Sequence, residues 1–351
     1  MPVLRRLGEP TGLAAPGDAA GPALERIVPF TFTEAGPRPA ADELAAFLDH
    51  MESLYGAFAD RSWLTDGPKI SYHHMVRTVV DTLGPALAEV DLVLTVDASP
   101  DCRHQSFPGS LLAELLPGDP MMMGISEQGV AGPFTALRIA HHQLTTGGAR
   151  RALVVVMEQQ TLPPDDAAVR PTRDVAVALL LGPGAGVPVG RPQLTVTRGG
   201  PAGPALPVAA DLVVAGAGLD DPPAGVPVVR APAGHPCLGV WLALADLLGA
   251  GPLTDDAPAG AADPARPLPV GREPLPGGRL LVTDRDPTLP YRCGITLTLP
   301  APPRADVPAR AGRARSAPVR SGAAHPPVPA SPPPGPAAGA SRPRRTRELT
   351  R

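Results

Sequence analysis

The sequence predicts an α/β protein with a covered sheet, followed by a tail without regular structure. Hydrophobic residues make up 43% of 351 residues, which is enough for a buried core. Short apolar runs alternate with helical patterns over residues 75–182, as in α/β folds with helices on the sheet faces. Residues 301–351 hold twelve prolines and no periodic pattern. We predict a flexible arm (1–25), two structured halves (26–190 and 191–300) and a disordered basic tail (301–351).

Two kinds of pattern define the first half. Apolar residues at a 3.6-residue period predict amphipathic helices, and short runs of consecutive apolar residues are typical of buried strands. In chain order these predict a helix at 41–59, a helix at 76–90 split by Gly84-Pro85, a strand at 91–99, a helix at 106–116, a strand at 121–126, a helix at 130–144 ended by Gly147-Gly148, a strand at 152–157 and a strand after Asp174.

The second half carries a sparser signal. One helix is predicted at about 238–249, with Leu238, Trp241, Leu242, Ala245 and Leu248 on its apolar face. The strand candidates are QLTVT (193–197), DLVVAG (211–216), GVPVVR (225–230), RLLVTD (279–284) and CGITLTL (293–299).

Charge and cysteine content narrow the function classes. The tail holds ten Arg and two acidic residues, a net charge of +8. Since the whole chain has a net charge of −3, residues 1–300 have a net charge of −11. An acidic body argues against nucleic-acid binding, which needs a basic surface. Cys102, Cys237 and Cys293 lie far apart without a CxxC pair, which argues against a disulfide framework or a structural zinc site. We predict no metal and no cofactor.

The sequence also predicts a cytoplasmic protein with no membrane association. No apolar run reaches 18 residues, and the first residues, MPVLRRLGEPTG, lack the apolar region of a secretory signal.

The order of motifs resembles the β-ketoacyl-ACP synthase III branch of the thiolase superfamily. DLVLTVDASPD, FPGSLLAELL and GISEQGVAGPFTALRIAHHQLTTGGARRALVVVMEQ are similar to that family's N-terminal half. DLVVAG, AGHPCLGVWLALADLLGAG and GGRLLVTDRDPTLPYRCGITLTL follow the order of its C-terminal half. The resemblance covers roughly residues 40–300 and implies a five-layered αβαβα fold with two related halves.

The resemblance also implies a function. Family members work on acyl-CoA or acyl carrier protein in fatty-acid or polyketide-type pathways, and they pair their central sheets as dimers. Their nucleophilic Cys lies at the start of a buried helix, where the partial positive charge of the helix N-terminus favours a thiolate. A His and an Asn stabilise the enolate.

This chain departs from the family at all three positions. The resemblance places Val130 at the Cys position, Gly216 at the His position (a slip of one residue would select Ala215 or Ala217) and His235 at the Asn position. Because valine cannot attack a thioester and glycine has no side-chain donor, the usual condensation is not expected. The N–H of Val130 remains as part of an oxyanion site.

Three other residues are candidates for the missing nucleophile or its replacement. Cys237 could attack a thioester with His235 as its base, or it could simply be a buried residue at the start of a helix. Ser126 could also attack a thioester, or it could be a capping residue. Gln128 is the third candidate, because partner subunits of some ketosynthases carry Gln in place of the Cys. Two functions stay open: an acyltransferase with a rewired site, and a non-catalytic subunit that pairs with an active ketosynthase or carrier protein.

The remaining polar motifs favour structural roles. His73-His74 and His141-His142 are adjacent pairs. Because adjacent residues on a helix point about 100° apart, such pairs make poor joint metal ligands. His104, in the DCRH loop, is expected to pack in that loop or to lie exposed at the surface, rather than to be catalytic. Asp174 is expected to accept hydrogen bonds from backbone amides.

Removal of residues 301–351 should leave folding unchanged, because a segment without apolar periodicity contributes nothing to the core. We expect the melting temperature of the truncated chain to equal that of the full chain in calorimetry. A large fall in melting temperature would contradict the assignment of this tail.

Overall fold

Two mixed β-sheets with the same strand order form the frame of the molecule. The computed structural model describes residues 21–32, 41–61, 70–98, 101, 107–160, 171–196, 209–254 and 278–300. All of these belong to one unit, which ends at Pro303. The predicted tail and the first 20 residues lie outside the described residues.

The first sheet runs in the order β10-β1-β5-β4-β2-β3, and β6 also pairs with β1. Its strands are β1 (Ala23–Thr31), β2 (Leu92–Asp97), β3 (Met121–Ser126), β4 (Ala152–Glu158), β5 (Val175–Gly182), β6 (Val187–Pro188) and β10 (Leu253–Thr254). β4, β2 and β3 are parallel, whereas β5 is antiparallel to both β4 and β1.

The second sheet repeats this arrangement in the order β9-β8-β11-β12-β7. Its strands are β7 (Gln193–Val196), β8 (Leu212–Ala215), β9 (Val228–Arg230), β11 (Gly278–Arg285) and β12 (Tyr291–Leu299). β11, β8 and β9 are parallel, and β12 is antiparallel to β11 and β7. Since β3-β2-β4-β5-β1 and β9-β8-β11-β12-β7 match strand by strand, the prediction of two related halves is confirmed.

Helices fill the space between the sheets and cover the first one. They are α1 (Ala41–Tyr55), α2 (Tyr72–Leu83), α3 (Pro108–Leu115), α4 (Ala131–Thr146) and α5 (Gly239–Leu247), with a 3₁₀ turn at Gly84–Leu87. α2 and α3 lie on the outer face of the first sheet, and α4 and α5 contact strands of both sheets. The two sheets and α2 to α5 therefore supply four of the five expected layers, and none of these four helices lies outside the second sheet.

Alternation along the strands explains this layering. Leu92, Leu94 and Val96 of β2 join the core that holds α4 and α5, whereas Val93 faces the core under α2 and α3. Both faces are apolar because both are covered, which is why these strands appear in the sequence as continuous hydrophobic runs.

Local chemistry sets the helix ends. Ser71 caps α2 by accepting the N–H of His74, and Gly84 ends it with a positive φ of 45°. Gly147 ends α4 in the left-handed conformation that glycine favours. Gly132, in the first turn of α4, lies so close to β2 that a Cβ there would be 2.8 Å from Val96 Cγ1. The predicted elements are thus confirmed within a few residues at their ends.

The flexible N-terminal arm was predicted to extend to residue 25, and this boundary was wrong. β1 begins at Ala23 and is paired on both sides in the first sheet. Its sequence, ALERIVPFT, shows no alternation, since Glu25 and Arg26 interrupt the apolar residues. Glu25 is held by the guanidinium of Arg151 (Nε–Oε2 2.8 Å), which allows a charged residue in this strand.

Among the described helices, none is long and apolar enough to cross a membrane.

Candidate active site

The N-termini of the two central helices open onto one cavity of about 350 Å³. Val130 and Asp284 are its buried lining residues, whereas Ala217 and Asp220 are exposed. The cavity therefore leads from solvent to the start of α4. Its lining consists of Val130, Ala217, Gly218, Asp220, Gly234, His235, Pro236, Asp284, Arg285 and Pro287.

At the start of α4, a carboxylate of the chain itself accepts the backbone N–H at the helix N-terminus. The N–H of Val130 donates to Asp286 Oδ2 at 3.0 Å. The other oxygen of Asp286 accepts from the N–H groups of Thr288 and Leu289. Gly129 is required beside it, because a Cβ at that position would overlap with the Asp286 carboxylate. The expectation that the Val130 N–H remains open for an oxyanion was therefore wrong.

At the start of α5, a second buried carboxylate plays the same part. Glu158, at the end of β4, is fully buried, and its Oε1 accepts the N–H groups of Cys237 and Leu238. Its Oε2 lies 3.3 Å from His235 Nδ1. Glu158 thus neutralises the positive end of α5 and fixes the imidazole that lines the cavity.

A third carboxyl fills the space next to Gly216. A Cβ at residue 216 would overlap with the carboxylate of Asp284, so a side chain at this position and the carboxyl of Asp284 exclude each other. The pKa of Asp284 is raised to about 7, chiefly by burial and also by the charges of Asp286 and Glu158, against the lowering effect of the Arg285 N–H. Asp284 therefore exchanges a proton close to neutral pH.

Cys237 is not poised as a nucleophile in this arrangement. Its side chain is buried, and this burial, together with the charges of Glu158, Asp286 and Asp284, raises the pKa of the thiol well above its usual value. The pKa of Cys293, which is also buried, is raised by its burial and by the charges of Asp284 and Asp286. Neither thiol is activated as a thiolate.

Other residues singled out in the sequence lie elsewhere or are engaged. Ser126 is exposed at the end of β3, and Gln128 accepts a hydrogen bond from the hydroxyl of Thr135. Asp174 accepts the backbone N–H groups of Ile70 and Gln160, as expected. Cys102 and His104 lie outside the described residues. Within the part of the chain that the structure describes, no group of three His, Cys, Asp or Glu is arranged to hold a metal ion.

Glu158, Asp284 and Asp286 were missed by sequence reasoning. Each follows or ends an apolar strand, and DRDP carries two acids two residues apart after such a run. That signal indicates only a polar strand end. The contacts that give these carboxyls their roles join residues that are up to 156 positions apart.

Comparisons with known proteins find similarity at the level of structure alone. No family model matches the sequence, and no curated protein matches it. The chain is similar to β-ketoacyl-[acyl carrier protein] synthase III from Thermus thermophilus, at 14% identity over 80% of this chain and 100% of that one, with a TM-score of 0.49. It is also similar to a variant of OleA from Xanthomonas campestris, at 14% identity over 81% and 100%, with a TM-score of 0.48. The assignment of a thiolase-like fold rests on the strand order that the two sheets of this chain share.

Asp284→Asn should stabilise the protein at high pH and have little effect at low pH. A carboxyl whose pKa is raised on folding favours the folded state fully below its unfolded pKa, and this stabilisation is lost as the pH rises through about 7. The amide cannot ionise, so the variant escapes that loss. We expect its melting temperature to exceed that of the wild type by several degrees at about pH 8.5, and the difference to vanish near pH 4.

The matched control is Asp246→Asn, which changes an exposed aspartate on α5. It should leave the melting temperature unchanged at both pH values. Equal melting temperatures of Asp284→Asn and wild type at the higher pH would contradict the raised pKa.

Proposed function

We propose that this chain is a ketosynthase III-like protein of a fatty-acid or polyketide-type pathway. It binds an acyl thioester, carried by CoA or acyl carrier protein, without forming an acyl-enzyme at residue 130. The observation that carries this proposal is the hydrogen bond from the Val130 N–H to Asp286. The valine side chain supplies no nucleophile, and Asp286 engages the N–H that would otherwise stabilise an oxyanion.

Charge supports this proposal as strongly as the missing nucleophile does. Condensation develops negative charge on thioester and enolate oxygens, which N–H groups and dipoles normally stabilise. Here Asp286 takes the N–H of Val130, and Asp284 fills the space beside Gly216. Two unit charges at about 4 Å repel by roughly 4 kcal/mol at an effective dielectric constant of about 20, so an ionised carboxylate opposes such an intermediate.

The first test is intact-protein mass spectrometry after incubation with acyl-CoA and acyl carrier protein. We expect no adduct on the wild-type chain. Val130→Cys alone should also stay unmodified, since Asp286 keeps the N–H of residue 130 engaged and its charge disfavours a thiolate there.

The paired variant Val130→Cys/Asp286→Gly, which frees the helix N-terminus, should be acylated at residue 130 under conditions in which Val130→Cys stays unmodified. A stable adduct on wild-type Cys237 or Ser126 would contradict the proposal and support the covalent alternative.

A second candidate function, a non-catalytic partner subunit, is favoured by the edge of the first sheet. β3 pairs only with β2 among the described strands, and Met121 and Met123 are 51% and 41% exposed. Exposed, apolar edge strands are normally protected from pairing, and this one carries no charged residue. We infer that β3 joins a second chain, either another copy of this protein or an active ketosynthase.

Light scattering after size exclusion tests this pairing. We expect the full chain to elute at twice its mass of 35.9 kDa or to form a complex with a co-expressed ketosynthase. Met121→Lys/Met123→Lys should abolish either association, because charges on an edge strand oppose strand addition. Leu54→Lys, at an exposed apolar residue of α1, is the control and should have no effect. A wild-type chain that stays monomeric and captures no ketosynthase contradicts the subunit function.

A further inference from the structure

The cavity contains two polar atoms that the described residues leave without a hydrogen-bond partner. Asp284 accepts one hydrogen bond, from the N–H of Arg285 to Oδ1, and its Oδ2 has no partner in this part of the chain. His235 contacts Glu158 through Nδ1, and its Nε2 has no partner among the same residues. Both residues line the cavity, which also holds Val130 at its inner end.

The imidazole is held as a proton acceptor. The Glu158 carboxylate at Nδ1 favours the tautomer with its proton on that nitrogen, which leaves the lone pair on Nε2. Glu158 is itself fixed by the N–H groups of Cys237 and Leu238. A base oriented by a buried carboxylate is the arrangement that activates a hydroxyl or a water for attack.

The carboxyl of Asp284 is suited to donate a proton. Its neutral form is well populated near neutral pH, because burial and neighbouring acids raise its pKa to about 7. A neutral carboxyl in a buried site donates a hydrogen bond to a carbonyl oxygen. The groups that face Asp284 are Asp286, the Arg285 N–H and Cys293 from its own hairpin, Glu158 from β4, and Cys237 and His235 from the segment before α5.

We propose that the cavity hydrolyses an acyl thioester without a covalent intermediate, with His235 as general base and Asp284 as general acid. The inference rests on the proposed function, since it assigns chemistry to the thioester bound there. Water takes the part of the nucleophile that Val130 cannot supply. Glu158 is a positioning residue that acts through His235.

The step balances without any further reagent. Water gives a proton to His235 Nε2 as its oxygen bonds to the thioester carbonyl carbon, and the carbonyl oxygen takes the proton of Asp284. As the tetrahedral intermediate collapses, this oxygen returns its proton to Asp284 and the C–S bond breaks. The leaving thiolate takes the proton from the His235 imidazolium. The products are a carboxylic acid and the free thiol.

The test is release of free CoA from acetyl-CoA and octanoyl-CoA by the purified full chain, followed with a thiol-reactive dye, alongside equilibrium dialysis of the same thioesters. We expect turnover with no protein adduct, and a rate that falls as the pH rises through about 7, where Asp284 loses its proton.

His235→Gln should lower kcat by roughly 10²–10⁴-fold, the usual contribution of a general base. Asp284→Asn keeps a donor, so it should retain part of the rate and lose the decline above neutral pH. Glu158→Gln should lower kcat more than it changes KM. Asp246→Asn should match the wild type. Circular dichroism at each pH separates loss of chemistry from loss of fold.

The outcomes separate the two proposals. Thioester binding without CoA release overturns hydrolysis and keeps the proposed function. The absence of both binding and release overturns the proposed function. Release that survives His235→Gln and Asp284→Asn unchanged, with its pH profile intact, overturns the roles assigned here. An adduct that forms during turnover overturns the non-covalent route.

Discussion

Two helix N-termini meet at one cavity, and the rest of the site depends on how their positive ends are neutralised. The chain supplies a buried carboxylate to each: Asp286 at the start of α4 and Glu158 at the start of α5. Each contact ties a loop or strand end of one half to a central helix of the other, so the two halves are held together at the site. Bonds of this kind, from N–H groups to a charged acceptor, are among the stronger hydrogen bonds in proteins.

The positions of Asp284 and Asp286 depend on two glycines beside them. Gly216 has no side chain where Asp284 places its carboxyl, and Gly129 has none where Asp286 approaches the helix. Any side chain at position 216 would collide with Asp284, and the N–H of residue 130 is engaged by Asp286. The acidic character of the site therefore depends on both glycines and both carboxyls together, so a change at one of these positions disturbs its partner.

The sequence was sufficient for the elements and insufficient for these contacts. Periodicity located α4 and α5, because it depends on neighbours along the chain. The apolar face predicted for α5 was too narrow, since Val240, Ala243 and Leu244 are buried as well. β1 escaped detection since its Glu25 is stabilised by Arg151, which lies 126 residues away. Glu158, Asp284 and Asp286 escaped for the same reason. A carboxylate at a strand end has the same sequence pattern whether it meets water or the first N–H groups of a helix.

The two acids of the β11–β12 connection differ in a way that separates a structural role from a chemical one. Asp286 accepts from the N–H groups of Val130, Thr288 and Leu289 and from the Thr288 hydroxyl, so its bonding capacity is used within the fold. Asp284 is also buried but accepts a single N–H and faces the cavity. Burying an acid with so few partners destabilises the fold, and such residues are typical of sites where a proton is exchanged. Asp286 therefore serves the fold at the start of α4, whereas Asp284 keeps one oxygen without a partner among the described residues, beside the cavity.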